Sequence, residues 1–542
     1  MPQPVAATES LEELLFPRGG IDLSQAFSRQ LARKGPDGEY QKTTPEAHNV
    51  RVYDPDQGRG RGGSRGGLAK WIDQRVGGKT WVVQELATLT TAGFTPGDAT
   101  VQSSTTGRVV TVIAVVQGRL YTANPGDTAW SSTTNATGEN PPLNYSGVLF
   151  SATNGQKLFF CDGQNYRYFD PLTNTVYNWA ATTGDLPEDE DNNFATLICT
   201  WRCRTVLSGL LKDPNNVFMS RISAPFDWNY GVDPPDPGRA IAFGASEGLG
   251  LIGDRVTCLI PFSDDVLYIG GDSSIFRIQG DPNDGGKVDL VTTAIGMTWG
   301  QPWCRGPDGA VYFFSNRCSI HRLAPGMQPE QLSRPIDSLL KQINTGEYHV
   351  RMAWSPEEEG FWVLVTKLAE TAATTHYFWE ARTGAWTTNN FANKNHNPLA
   401  CCTLDGNRPE DRVVLFGSWD GYVRTVSPTA EKDDGSAISS SVTIGPLLTP
   451  DLDEVMVKDI QAVMGEESED VTFAVHVGTT AEKALDTDAV ETGTLTAGRN
   501  PVSFVRRSGH AVYVKLSSTK RWAMESIRAR VATQGKVRRR GF

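Results

Sequence analysis

Between Arg255 and Pro282 the chain reads RVTCLIPFSDDVLYIGGDSSIFRIQGDP. Val256 to Ile260 runs into Pro261, and Ser263-Asp264-Asp265 makes a turn. Val266 to Ile269 ends at Gly270-Gly271-Asp272, and Ile275 to Ile278 ends at Gly280-Asp281-Pro282. Short β-branched and aromatic runs bounded by Gly, Pro, Asp and Ser form the strands of an antiparallel meander. Such a meander cannot cover both of its faces alone, so it needs neighbours of the same kind.

The chain supplies them. Comparable units occupy residues 107–130, 147–179, 194–230, 255–282, 300–333, 350–391 and 398–427. Each has an apolar strand, a turn, a strand such as VLYIGG or AVYFFS, and a strand such as SIFRI or SIHRL. Hairpin units repeated along one chain predict an all-β protein built on a β-propeller of seven or eight blades. An eighth blade would use residues 80–105 with a returning strand. A parallel β-helix and a sandwich are the alternatives, and the hairpin grammar with variable loops favours the propeller. Trp303, Trp354, Trp362 and Trp379 are expected between blades.

A chain of 542 residues exceeds one core. Residues 1–75 read as an irregular N-terminal arm with an Arg/Gly-rich lead-in, 76–430 as the propeller, 431–535 as a small C-terminal β-sandwich, and 536–542 as a basic tail. Ser10 to Leu15 suits one helical turn, with Ser10 as N-cap and Glu13 in the capping-box position. Residues 24–48 are polar and read as an arm that orders on partners. Gln57 to Trp71, QGRGRGGSRGGLAKW, is a Gly-rich loop feeding a strand at Leu68 to Ile72, or an RGG-type RNA-binding segment. Asn135–Asn144 and the acidic Thr182–Asn193 read as solvated loops, and Lys432 to Ser436 as a linker. Beyond it, Val455 and Val457, Phe473, Val475 and Val477, Val502 and Phe504, Val512, Val514 and Leu516, and Trp522 and Met524 alternate with period two. That pattern predicts strands with one buried face.

Catalytic patterns are missing from the sequence. Asp264-Asp265 and Glu357-Glu358-Glu359 sit in turns, where solvation explains the charge, and adjacent turn carboxylates do not make an acid–base pair. The seven His are scattered, and no HExxH, GxSxG or phosphate loop occurs. The eight Cys include no CxxC pair, so neither metal nor cofactor is expected. The start of the chain has no signal-peptide pattern. The longest apolar run, Val109 to Val116, is too short for a bilayer, so no membrane insertion is expected. Free thiols in a reducing cytosol follow.

Net charge is −11, which disfavours general nucleic-acid binding. The charge is uneven. Val505 to Phe542 holds eleven Lys or Arg and one acid, Glu525, so it carries about +10 and the preceding residues about −21. Asymmetry of this kind marks an interface or a tail.

The stretches VTCLIPFSDDVLYIGGDSSIFRIQG and DGAVYFFSNRCSIHRLAP…EQLS resemble blades of the tail nozzle proteins of short-tailed bacteriophages, also called tail tubular or tail stabilisation proteins. Phe226-Asp227-Trp228 after NNVFMSRISAP fits the same style. NVRVYDP…RGRGGSRGGLAKW resembles the family's Arg-rich turn into the first strand, with Gly66-Gly67 where the family often has Pro-Gly. AVYVKLSSTKRWAMESIRARVATQGKVRRR resembles its closing strands. The resemblance implies a structural virion protein without enzymatic activity. It would form a hexameric ring below the portal and adaptor proteins, assembled in the host cytoplasm. The ring would close the tail tube, retain packaged DNA, conduct double-stranded DNA without sequence recognition, and carry docking surfaces for fibres or spikes. Two other classes stay open: a glycan-binding or glycan-cleaving receptor-recognition propeller, and a cellular propeller scaffold. Within the nozzle reading, Arg538, Arg539 and Arg540, with Arg59, Arg61 and Arg65, are candidate contacts to a neighbouring subunit or the adaptor. A solvated basic tail is the alternative.

Overall fold

The computed structural model describes residues 9–30, 33–36, 38–55, 57–92, 108–134, 143, 147–231, 236–244, 249–449 and 453–534. Before the propeller lie three short strands that each serve another part of the chain: β1 (Glu9–Glu13), β2 (Ala47–His48) and β3 (Gly67–Lys70).

Four-stranded antiparallel sheets then follow one another. The first runs from Val83–Ala92 to Ser131–Ser132, the second from Phe150–Asn154 to Thr175–Asn178, and the third from Leu197–Trp201 to Ile241–Phe243. The fourth runs from Val256–Ser263 to Lys287–Thr292, the fifth from Trp303–Arg305 to Glu330–Gln331, and the sixth from Tyr348–Ser355 to Trp386–Asn389. The seventh takes Pro398–Asp405, Arg412–Ser418 and Val423–Ser427, and is completed by β3.

The first strand of each blade packs on the first strand of the next. Between the fourth and fifth blades the link is the bridge from Cys258 to Gly300, with Ile260 and Tyr268 against Val311 and Phe313. Pro398–Asp405 of the seventh blade packs on Val83–Ala92 of the first, so the ring closes. This is a β-propeller. Buried apolar clusters lie between blades, as in the set joining Trp362 and Phe378 of the sixth to Phe416 and Val426 of the seventh.

The remaining strands are β4 (Ser440–Leu447), β5 (Glu454–Met464), β6 (Val471–Gly478), β7 (Glu491–Leu495), β8 (Ser503–Gly509), β9 (Ala511–Ser518) and β10 (Met524–Gln534). One sheet has the order β2-β4-β9-β6-β7; the other is β1-β10-β5, with β8 and the two-residue strand Gly498–Arg499 both pairing with β5. Val457, Ile460, Val475, Val514 and Ile527 fill the space between them. Thr388 of the sixth blade pairs with His48 of β2, and β2 pairs with β4, so blade and sandwich share one continuous sheet.

Several sequence expectations are corrected here. The strand Val83–Ala92 pairs with Arg108–Val116 and opens the first blade, so it does not found an eighth. Residues 93–107, which completed that expectation, lie outside the described residues. Ser10 to Leu15 is not a helical turn. Glu9–Glu13 pairs along its whole length with β10, because an open sheet edge offers a full ladder where five residues cannot hold a helix alone. Residues 24–48 fold on their own chain: Thr44 Oγ1 donates to the Thr443 carbonyl at 2.6 Å, and Gln30 Nε2 to the Asp22 carbonyl at 2.8 Å. The supposed linker pairs as Lys432–Asp433 with Ser436–Ala437, and Asp433 is fully buried. In the acidic insertion, Asp189 accepts from the backbone N–H groups of Asp191, Asn193 and Lys212, so it builds a turn. Residues 135–142 and 144 of the other insertion are outside the described set. Of the four tryptophans, Trp362 and Trp379 are buried, while Trp303 and Trp354 are half-buried.

Candidate functional site

The Arg/Gly-rich lead-in is a packed joint. A side chain at Gly63 would place Cβ 2.3 Å from the Trp522 carbonyl oxygen, and one at Gly67 would place it 2.2 Å from that of Lys432. Glycine is needed there because two backbones touch. Ser64 N–H donates to the Trp522 carbonyl at 3.0 Å, and Trp522 Nε1 donates to Ser440 Oγ at 2.9 Å. The arginines are consumed in the same joint. Arg65 has no exposed side-chain surface. It donates to both oxygens of Asp433 (2.8 and 2.7 Å), to Asn49 Oδ1 (3.0 Å) and to the carbonyls of Gly66 and Asn390. Asp433 in turn accepts from the N–H groups of Leu68 and Ala392. Arg61 pairs with Asp54 and, at 2.5 Å, with Glu525.

Arg61 and Arg65 are therefore internal supports. The expectation of a subunit contact is corrected for both, since a guanidinium committed to its own chain offers a neighbour nothing. The RGG reading falls with them. Arg59 is exposed. Arg538, Arg539 and Arg540 lie outside the described residues.

A second cluster sits at the propeller hub. Glu85 of the first blade and Arg351 of the sixth meet at 2.6 Å, with side chains only 4 % and 3 % exposed. Arg351 also donates to Gln301 Oε1 (2.9 Å), to His349 Nε2 (3.0 Å) and to the Leu149 carbonyl, and lies 4.6 Å from the Phe150 ring centre. Ser151 Oγ of the second blade donates to Glu85 Oε1 at 3.1 Å. One guanidinium thus ties elements of four blades across the axis. Burial pushes the Glu85 carboxyl up, and Arg351 offsets part of that rise. Burial, with Arg351 adjacent, holds His349 neutral, well below the usual imidazole range. The hub holds a buried polar plug.

The acidic turn after the first strand of the sixth blade forms a third cluster. The expectation of simple solvation fails for Glu358. It accepts from Arg51 Nε at 2.8 Å and from Trp362 Nε1 at 2.8 Å. Glu380 is buried, which raises its pKa, and Arg382 bonds to it at 2.7 Å. Arg51, Glu358, Glu380 and Arg382 line a cavity of about 150 Å³ with Tyr53, Asp54 and Glu357. Glu358 and Glu380 are thus held by a guanidinium or an indole, while burial, with Glu358 adjacent, pushes Glu357 of the same cavity up to about 7. Elsewhere Ser319 Oγ lies 2.9 Å from His321 Nε2, but both are buried, and burial pushes His321 down to about 4. Such an imidazole is a weak base near neutrality. Among the described residues no three His, Cys, Asp or Glu converge on a metal position.

Sequence reasoning missed the hub and the Arg65–Asp433 pair. The visible signals were a charged residue inside an apolar strand, Glu85 in VQELATL, and the doubled Gly-Gly around Arg65.

No protein-family profile matches the chain, and no curated protein matches it. Among solved structures, it is similar to the extracellular domain of a hybrid two-component system from B. thetaiotaomicron: 10% identity, TM-score 0.45, covering 82% of this chain and 57% of that one. It is also similar to YCF48 from Cyanidioschyzon merolae, at 8% identity and TM-score 0.37, covering 67% and 99%. PorZ of the type-IX secretion system of Porphyromonas gingivalis aligns at 14% identity and TM-score 0.35, covering 73% and 44%. The architecture rests on this chain's own strand pairing.

Proposed function

We propose that this chain is a structural virion protein, a ring-forming tail nozzle of a short-tailed bacteriophage that retains packaged DNA and conducts it during ejection. The observation that carries the reading joins sequence and fold. The two terminal stretches that resemble the family, Asn49–Trp71 and Ala511–Arg540, meet in one joint through Gly63, Ser64 and Arg61 of the first and Trp522, Ala523 and Glu525 of the second. A shared sheet and that joint fix the sandwich to the propeller, as a load-carrying tail part requires. Glu85 and Arg351 meet, buried, between the first strands of the first and sixth blades, and in this reading the DNA lumen lies between copies around a symmetry axis. The net acidic body suits a wall along which DNA slides, because phosphate contacts would grip it in a salt-dependent way. No enzymatic step is assigned to the chain. Arg59 and Arg538 to Arg540 remain proposed contacts to a neighbour or to the adaptor.

Native mass determination of the purified chain, alone and with adaptor and portal proteins, tests the reading. A hexamer in either setting is expected. A chain that stays monomeric with those proteins present overturns it.

A further inference from the structure

The second sandwich sheet ends in two unlike edges. Its order is β1-β10-β5-β8, all antiparallel, with the short strand Gly498–Arg499 also pairing with β5. Among the described residues no further strand pairs with β1 or with the outer side of β8. Edge strands of this kind present free N–H and C=O groups and are templates for another strand.

The edge β1 reads ESLEE, every residue exposed, with Leu11 at 49 %. The edge β8 reads SFVRRSG, with Arg506 and Arg507 exposed and Phe504 at 68 %. The period-two pattern anticipated Val502 and Phe504 on a buried face, yet Val502 is 46 % exposed and the inward residue is Val505, at 3 %. One edge is thus acidic and the other basic, and each exposes apolar side chains. They also share a row across the sheet. Leu11 pairs with Arg530, Arg530 with Asp459, and Asp459 with Phe504.

We infer that β8 of one copy adds to β1 of the next, continuing the sheet from subunit to subunit. This deepens the ring reading above and rests on it. The strand count supports it. With four alternating strands, β8 of the next copy arrives antiparallel to β1, so the ladder continues without reversal. Continuing the existing row sets Phe504 of one copy against Leu11 of the other; beyond Phe504 the strand β8 bulges at Arg506 (φ 52), so the charge match is between the basic and the acidic edge as wholes. An apolar pair on facing strands favours pairing, as does the opposite charge of the two edges. The contact uses two different patches, so it is heterologous, and such contacts close into rings when the rotation allows.

The test uses full-length protein with Cys203→Ser, because Cys203 is the exposed native thiol. Leu11→Cys and Phe504→Cys are made in separate preparations, both at exposed positions, and mixed under mild oxidation. A covalent dimer from the mixture and from neither preparation alone is expected. Arg506→Glu should weaken assembly at least tenfold, with unchanged melting, and the loss should shrink at raised salt. Assembly without the cross-link, and indifferent to Arg506→Glu, overturns the strand-addition inference and leaves the ring standing. A parent chain that stays monomeric even with adaptor and portal present overturns the ring and this inference together.

Discussion

Arg65 and Asp433 form a two-pronged ion pair, 2.8 and 2.7 Å, with both side chains wholly screened from water. It joins Arg65, two residues before the closing strand β3, to the segment leaving the seventh blade. Every Asp433 oxygen has a further N–H donor, and the Arg65 planar fork reaches three more acceptors. The pair therefore latches the propeller ring shut. Arg65→Ala leaves a buried carboxylate without its countercharge and is expected to cost about 3–5 kcal/mol. Arg65→Lys should recover little, because an ammonium cannot bond both oxygens in one plane and still reach Asn49. Urea unfolding of the three proteins checks this; a lysine variant as stable as the parent would refute the latch.

The Glu85–Arg351 plug makes a related but distinguishable prediction. Removing one partner alone, as in Glu85→Gln or Arg351→Met, leaves an unmatched polar or charged group in the hub. Each is expected to destabilise by about 3–5 kcal/mol. The double variant should lose less than the sum, because neither charge is then stranded. A double-mutant cycle by chemical denaturation gives the coupling. Additive single effects would mean that the two groups do not support each other.

Trp362 is fully buried between the sixth and seventh blades, 5.4 Å from the Phe378 ring and 5.7 Å from Phe416, with its indole N–H on Glu358. Trp362→Ala should cost about 3–5 kcal/mol as a cavity. Trp362→Phe should cost less in packing but strip Glu358 of a donor. Thermal melting of both variants checks the order; an alanine variant that melts with the parent would place the ring outside the core.

The blades were legible in the sequence because their signals are local. Alternation and turn residues act within a few positions, so the units from 147 to 427 emerge from runs such as LYIGG and VYFF. The closing pieces were not legible. Arg65 and Asp433 stand 368 residues apart, and Glu85 and Arg351 266 apart. A basic Gly-rich stretch looks the same whether its arginines face solvent or a buried aspartate. Ser10 to Leu15 carries real helix-cap signals, and pairing with β10, more than five hundred residues away, overrides them. Phe504 failed for a different reason: β8 shifts register against β5 between Val457 and Asp459, which breaks a simple period of two.

Acid sensitivity follows from the buried imidazoles. His376 is wholly buried. Val365 N–H donates to its Nδ1 at 3.1 Å, so the ring proton sits on Nε2 and is donated to Asn397 Oδ1 at 2.9 Å. A second proton would have to enter at Nδ1, against that N–H. Burial is the main cause that pushes His376 down to about 4, and it does the same for His321. The folded value lies below the ordinary 6.5, so the unfolded chain takes up protons first as pH falls. The stability from a neutral His376 is complete above about 6.5 and is lost as pH drops from there toward 4. Within that window each such group contributes up to about 1.4 kcal/mol per pH unit. Glu85 and Glu380, raised by burial, act in the opposite sense. The comparison of the parent with His376→Gln isolates the imidazole from them. The variant, though less stable overall at pH 7.5, should lose less than the parent on going to pH 5. In NMR titration the His376 ring should remain neutral at pH 5, and a midpoint near 6.5 would show that it is not held by this hydrogen-bond pair.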